Sequence, residues 1–162
     1  MLHRILIAVD GSPGGNAATR LGADIAARYG AEVVLVHVSS PPAVLALGGT
    51  TPVDALDDLM LQLEKRAFAE AGEILDAAGV SHTDVALVGS PARRIVEEAE
   101  QREADLVVIG HRGLSAVERF LMGSVSTQIA HRATCAVLIA PVPPEAENED
   151  RDVDQGTSSQ ME

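Results

Sequence analysis

Short apolar runs that lack aromatic residues, separated by stretches of helical periodicity, most narrow what this chain can fold into. Ile5-Leu6-Ile7-Ala8-Val9, Val34-Leu35-Val36-His37-Val38 and Leu106-Val107-Val108-Ile109 are apolar at nearly every position rather than at alternate ones. A strand with one wet face alternates, whereas a strand apolar throughout is covered on both faces. Thr83 to Val88 and Ala136 to Ala140 read as two further strands. Strands separated by helices in this way imply right-handed crossovers and a parallel sheet with helices on both faces. Hydrophobic residues make up 46% of the chain but aromatics only 2%, and tryptophan is absent. The core is therefore expected from Val, Ile, Leu and Ala, which suits small-residue helices lying on a parallel sheet. With 162 residues there is chain enough for one α/β domain with a real core.

Punctuation residues place the helices. Ser12-Pro13 supplies an N-cap and an N1 proline for a helix carrying Ala17, Ala18, Leu21 and Ile25 on one face, and Gly30 ends it. After the strand from Glu32 to Val38, residues 39–51 read as a partly apolar loop. A long helix from about Asp54 to Ala78 then sets Leu56, Leu59, Met60, Leu63, Ala67, Phe68, Ala71 and Leu75 at helical spacing, a pattern expected of a core face. Gly79 stops it. Gly89-Ser90-Pro91 repeats the serine cap with N1 proline, and the next helix turns Ile95, Val96 and Ala99 inward and Arg93, Arg94, Glu97, Glu98 and Glu100 to solvent. A last helix spans about Ser124 to Arg132.

Chemistry enters after the fourth strand. Gly110-His111-Arg112-Gly113 is followed nine residues later by Gly123-Ser124-Val125-Ser126. A strand, a glycine-bearing loop and a helix start, with Ser124 as its N-cap, make a cradle for phosphate. Glycine lets backbone N–H groups approach an anion, and the helix start adds unpaired donors and the positive end of a dipole. The loop N–H groups around Gly113 and those of Gly123, Ser124 and Val125 are the expected donors, with the hydroxyls of Ser124 and Ser126 beside them. Gly110 is small where a ribose or phosphate would pass. The plainer alternative is that these glycines only punctuate turns. Arg112 either meets a phosphate with its planar fork or lies exposed. Asp10 faces the ribose, the base or a metal-bound water, or else secures the turn into Ser12.

This frame resembles the G-x2-G-x9-G-S/T signature of the ATP-binding branch of the universal stress protein family. Ile5 to Ser12, Val34 to Val38, Gly89-Ser90-Pro91-Ala92 and Ala133 to Ile139 are similar to other segments of that family, over about residues 3–142. Ala136 departs from the proline often found after the cysteine. The resemblance implies a Rossmann-like, open five-stranded sheet of order 3-2-1-4-5, and a cytoplasmic stress-response protein that binds ATP as a sensor or regulator. It further implies that the Val38 backbone meets the adenine edge and that Ala8 and Ile109 line the pocket. Mg2+ is expected with the triphosphate, whose charge exceeds what Arg112 alone neutralises. A nucleotide-free adaptor of the same fold and a slow ATPase are the alternatives. No Gly-Lys-Ser/Thr loop and no metal-ligand spacing of His3, His37, His82 and His131 points to a dedicated enzyme.

The net charge of −12 argues against non-specific binding to nucleic acid or anionic membrane. Glu145, Glu147, Glu149, Asp150, Asp152 and Asp154 fall within ten residues, so a domain over 1–143 and an acidic, disordered tail over 144–162 are expected. The single cysteine, Cys135, reads as a small hydrophobe in a reducing compartment. The last strand would be an unprotected apolar edge, which predicts a homodimer through it.

Overall fold

The computed structural model describes residues 1–40, 53–111 and 123–141. Residues 41–51 of the expected loop, Arg112, Gly113 and the tail expected over 144–162 lie outside those residues. The elements are β1 (Arg4–Ala8), α1 (Pro13–Tyr29), β2 (Glu32–Ser39), α2 (Val53–Ala77), β3 (His82–Val88), α3 (Pro91–Gln101), β4 (Leu106–Gly110), α4 (Ser124–Arg132) and β5 (Ala136–Ala140). The strands form one five-stranded parallel sheet of order β3-β2-β1-β4-β5, as expected. Alternate residues of each central strand feed two different cores. Ile5, Ile7 and Leu35 pack under Ala18, Ala23 and Ala26 of α1 and Ala67, Ala71 and Leu75 of α2. Leu6, Val34 and Val36 pack on the other face against Ile95, Val96 and Ala99 of α3 and Ile129 of α4. This is a Rossmann-like arrangement. Its alanine-rich helix faces sit close to the sheet, and at Gly22 an added Cβ would come within 2.5 Å of Ile7 Cδ1. Among the described residues no helix is long and apolar enough to cross a membrane.

Several local expectations change. The Ser12 hydroxyl does accept from the Gly15 N–H at 3.0 Å, and Gly30 closes α1 in the left-handed region. Ser90 holds the N-cap position of α3 but its side chain makes no capping bond. Ser124 is not a cap: Gly123 is the N-cap of α4, because its N–H is held by the His111 carbonyl at 3.0 Å and its own carbonyl already accepts from Thr127 N–H at 3.0 Å. Glu98 is buried rather than solvated, since Arg102 Nε neutralises it at 2.6 Å. Leu59 and Leu63 are 51% and 41% exposed. The stripe of α2 reaches the core only from Ala67 onward, where the helix lies over the sheet.

Candidate functional site

In an open parallel sheet, ligands collect at strand C-termini where the winding direction reverses. Here β1 and β4 are neighbours whose chains continue to opposite faces, and a cleft of about 440 Å³ opens at their C-terminal ends. Ala8, Asp10, Val38, Ile109, Gly110, Gly123, Ser124, Val125 and Ser126 all line it. Nine of the eleven residues singled out in the sequence thus come together, and the other two, Arg112 and Gly113, fall outside the described residues.

The start of α4 brings backbone donors to this cleft. Helical geometry leaves the N–H groups of Ser124, Val125 and Ser126 without intrahelical acceptors, and among the described residues no side chain caps them. The Gly123 N–H, by contrast, is spent on the His111 carbonyl and is not a donor to a ligand. The Ser126 hydroxyl is also turned inward, with the Gly123 carbonyl at 2.9 Å and the His111 carbonyl at 3.2 Å. It pins the helix start rather than offering its proton to the cleft. Among the described residues, the donors left for an anion are therefore the backbone N–H groups of one helical turn.

Asp10 takes the other helix start. Its Oδ1 accepts from the Ser12 N–H at 3.0 Å and would lie 3.0 Å from a Cβ on Gly15. The turn-securing role weighed for Asp10 is present, and the residue also borders the cleft. Gly110 is small for a different reason than a passing ligand: an added Cβ would meet Gly14 C at 2.5 Å and Gly14 O at 2.6 Å. The first turn of α1 rests directly on the end of β4, and only glycine allows that approach.

Most of the remaining lining is apolar and comes from both faces of the sheet, with Val36, Val38, Ile95 and Ile109 on one side and Met60 and Leu63 of α2 on the other. Met60, Leu63, Pro91, Ile95, Ser39 and Ser40 carry no signal as ligand residues in the sequence, since each reads equally well as core or loop. His37 was legible only as a polar interruption of an apolar strand. It is buried, its Nδ1 lies 2.9 Å from the Val9 carbonyl, and its ring meets Phe68 edge-on at 6.1 Å. No group of three or more His, Cys, Asp or Glu among the described residues could hold a metal ion. Asp10 is the one carboxylate among the described lining residues, so a cation here would be held chiefly by ligand oxygens and water.

The sequence model of the universal stress protein family matches residues 1–141. A universal stress protein of Methanocaldococcus jannaschii is 32% identical over 144 residues, which are 88% of this chain and 84% of that one. A solved universal stress protein in complex with cAMP is similar at a TM-score of 0.69 and 27% identity, covering 88% of this chain and 99% of that chain. The universal stress protein from Archaeoglobus fulgidus in complex with dAMP shares the fold at a TM-score of 0.63 and 24% identity, covering 86% and 98%. From the first strand to the last, then, this chain belongs to the universal stress protein family.

Proposed function

We propose that the cleft binds an adenine nucleotide, ATP with Mg2+, and that the protein is a cytoplasmic nucleotide-dependent sensor or regulator of the stress response. One observation carries this reading: the first turn of α4, uncapped among the described residues, lines a cleft whose remaining lining is largely apolar. Backbone donors at a helix start suit phosphate, and an apolar wall suits a base. The volume of about 440 Å³ falls within the roughly 300–1,000 Å³ of small-molecule sites. The relatives solved with cAMP and dAMP support an adenine ligand. In this reading Ser124 and Val125 N–H groups meet a phosphate, with Arg112 and the Gly113 loop completing the triphosphate site. Gly110 and Asp10 border the sugar, Ala8 and Ile109 line the pocket, and the Val38 backbone meets the adenine edge. Mg2+ accompanies the phosphates, held by their oxygens and water with Asp10 nearby.

We further propose a homodimer through β5, which is an edge of the sheet. The chemistry of the described site favours binding over turnover, because backbone donors position phosphate but remove no proton. The test is direct. Protein purified without added nucleotide is denatured and the supernatant analysed, and the folded protein is titrated with ATP with and without Mg2+. ATP released or bound near one per chain supports this reading. Neither release nor binding would leave a nucleotide-free adaptor, and released ADP would indicate hydrolysis.

A further inference from the structure

The ladder between β1 and β2 ends in an irregular way that bears on base recognition. The Glu32 N–H donates to the His3 carbonyl at 2.9 Å, and the Val9 N–H donates to the Val36 carbonyl at 2.9 Å. Even-numbered residues of β2 therefore direct their backbone groups toward β1, as regular parallel pairing requires. Continued by one step, the pattern would have the Val38 N–H donate to the Val9 carbonyl. That rung is missing among the described residues. The Val9 carbonyl instead has His37 Nδ1 at 2.9 Å. A carbonyl only accepts, so Nδ1 carries the proton and the imidazole takes the place of the backbone donor. Burial of His37 at 7% exposure and the edge contact with Phe68 at 6.1 Å and 72° hold the ring there. The Val38 N–H, displaced from the ladder, lies at the strand end that lines the cleft.

We propose that His37 is a positioning residue for base recognition: by occupying the Val9 carbonyl it reserves the Val38 N–H as a donor to an acceptor atom on the edge of the bound base. The inference rests on the nucleotide reading above. A half-buried donor kept out of its ladder is left to water or to a ligand, so the ligand's acceptor completes what the sheet leaves undone. Removing the imidazole lets the Val38 N–H close the vacant rung and become unavailable to the base. Asparagine places an amide N–H near the position of Nδ1 and preserves the arrangement.

Amide hydrogen exchange of Val38, read by NMR, combined with titration of ATP into wild type, His37→Asn and His37→Leu, tests this. In ligand-free wild type and His37→Asn, Val38 should exchange far faster than Val36 and become protected on adding ATP. In His37→Leu it should be protected without ligand, and ATP affinity should fall about tenfold or more. A slowly exchanging Val38 in ligand-free wild type would overturn the proposal even if His37→Leu failed to fold. So would unchanged affinity in His37→Leu, or weakened binding there with Val38 still exchanging fast. Wild type that binds no ATP while Val38 exchanges fast would overturn the nucleotide reading, and the base contact with it, although the open rung itself would stand.

Discussion

At the scale of single residues, small size at Gly110 answers to packing before it answers to any ligand. Gly110→Ala would drive a Cβ into the Gly14 backbone, with contacts near 2.5 Å, and should lower stability by about 1–3 kcal/mol. Thermal melting checks this, and an unchanged melting temperature would mean that α1 does not rest on β4 as described. Asp105 is a second residue with a measurable consequence. Its carboxylate accepts from the His3 N–H at 2.6 Å and the Arg4 N–H at 3.0 Å, and these bonds hold its pKa below the ordinary carboxylate range. A depressed folded-state pKa contributes stability above the unfolded pKa, near 4, that is lost as pH falls through the folded value. Asp105→Asn should therefore melt below wild type at pH 7, with the difference shrinking toward pH 3. A difference constant across that range would remove the charge from the explanation. Gly110 and the segment from Gly123 to Ser126 were legible because glycines and serines sit at fixed spacing after an apolar strand, whereas Ala8, Val38 and Ile109 were named only through the family resemblance. His37 was not, because its importance lies in a bond to a carbonyl that sequence spacing does not report.

Among the elements, the strands were easiest to read. β1, β2 and β4 are buried on both faces, and that burial demands unbroken apolar runs. Their order is another matter, since periodicity says nothing about neighbours; it came from the family resemblance and agrees with the sheet observed. The span of α4 is the expected one, but its N-cap is Gly123 rather than Ser124, where the His111 carbonyl fixes the Gly123 N–H in a contact between segments that no local cap rule anticipates. The leucines of α2 misled for a related reason. Helical spacing identifies a stripe but not where the sheet beneath it ends, and Leu59 and Leu63 lie past that point. At the far edge, β5 has a solvent-accessible Ala136 and half-buried Val137, Leu138 and Ile139. Ile139→Pro, which removes a backbone donor and disfavours strand pairing, should turn a dimer into a monomer in sedimentation. A wild type that is monomeric at micromolar concentration would contradict pairing through β5.

For the whole molecule, the parallel sheet with two alanine-lined cores leaves one end, that of the strand C-termini, as the place where unpaired backbone donors and an apolar wall meet. Composition foretold those cores, because a chain with 2% aromatic residues must pack aliphatic side chains closely. The acidic segment after Pro144 has no apolar periodicity, so its removal should leave both melting temperature and ATP affinity nearly intact. A drop of more than a few degrees would show that it docks on the domain. The central claim is that the bare first turn of α4 holds a nucleotide phosphate, and Gly123→Asp tests it most directly. A carboxylate at the N-cap satisfies the N–H groups of that turn from within the chain, changing stability by only a few tenths of a kcal/mol in the helix's favour. It also sets a negative charge where the phosphate would sit. Calorimetric titration should show ATP bound near one per wild-type chain and at least about tenfold more weakly by Gly123→Asp, with the melting temperature unchanged or raised. Equal ATP affinity in the two proteins would contradict the account.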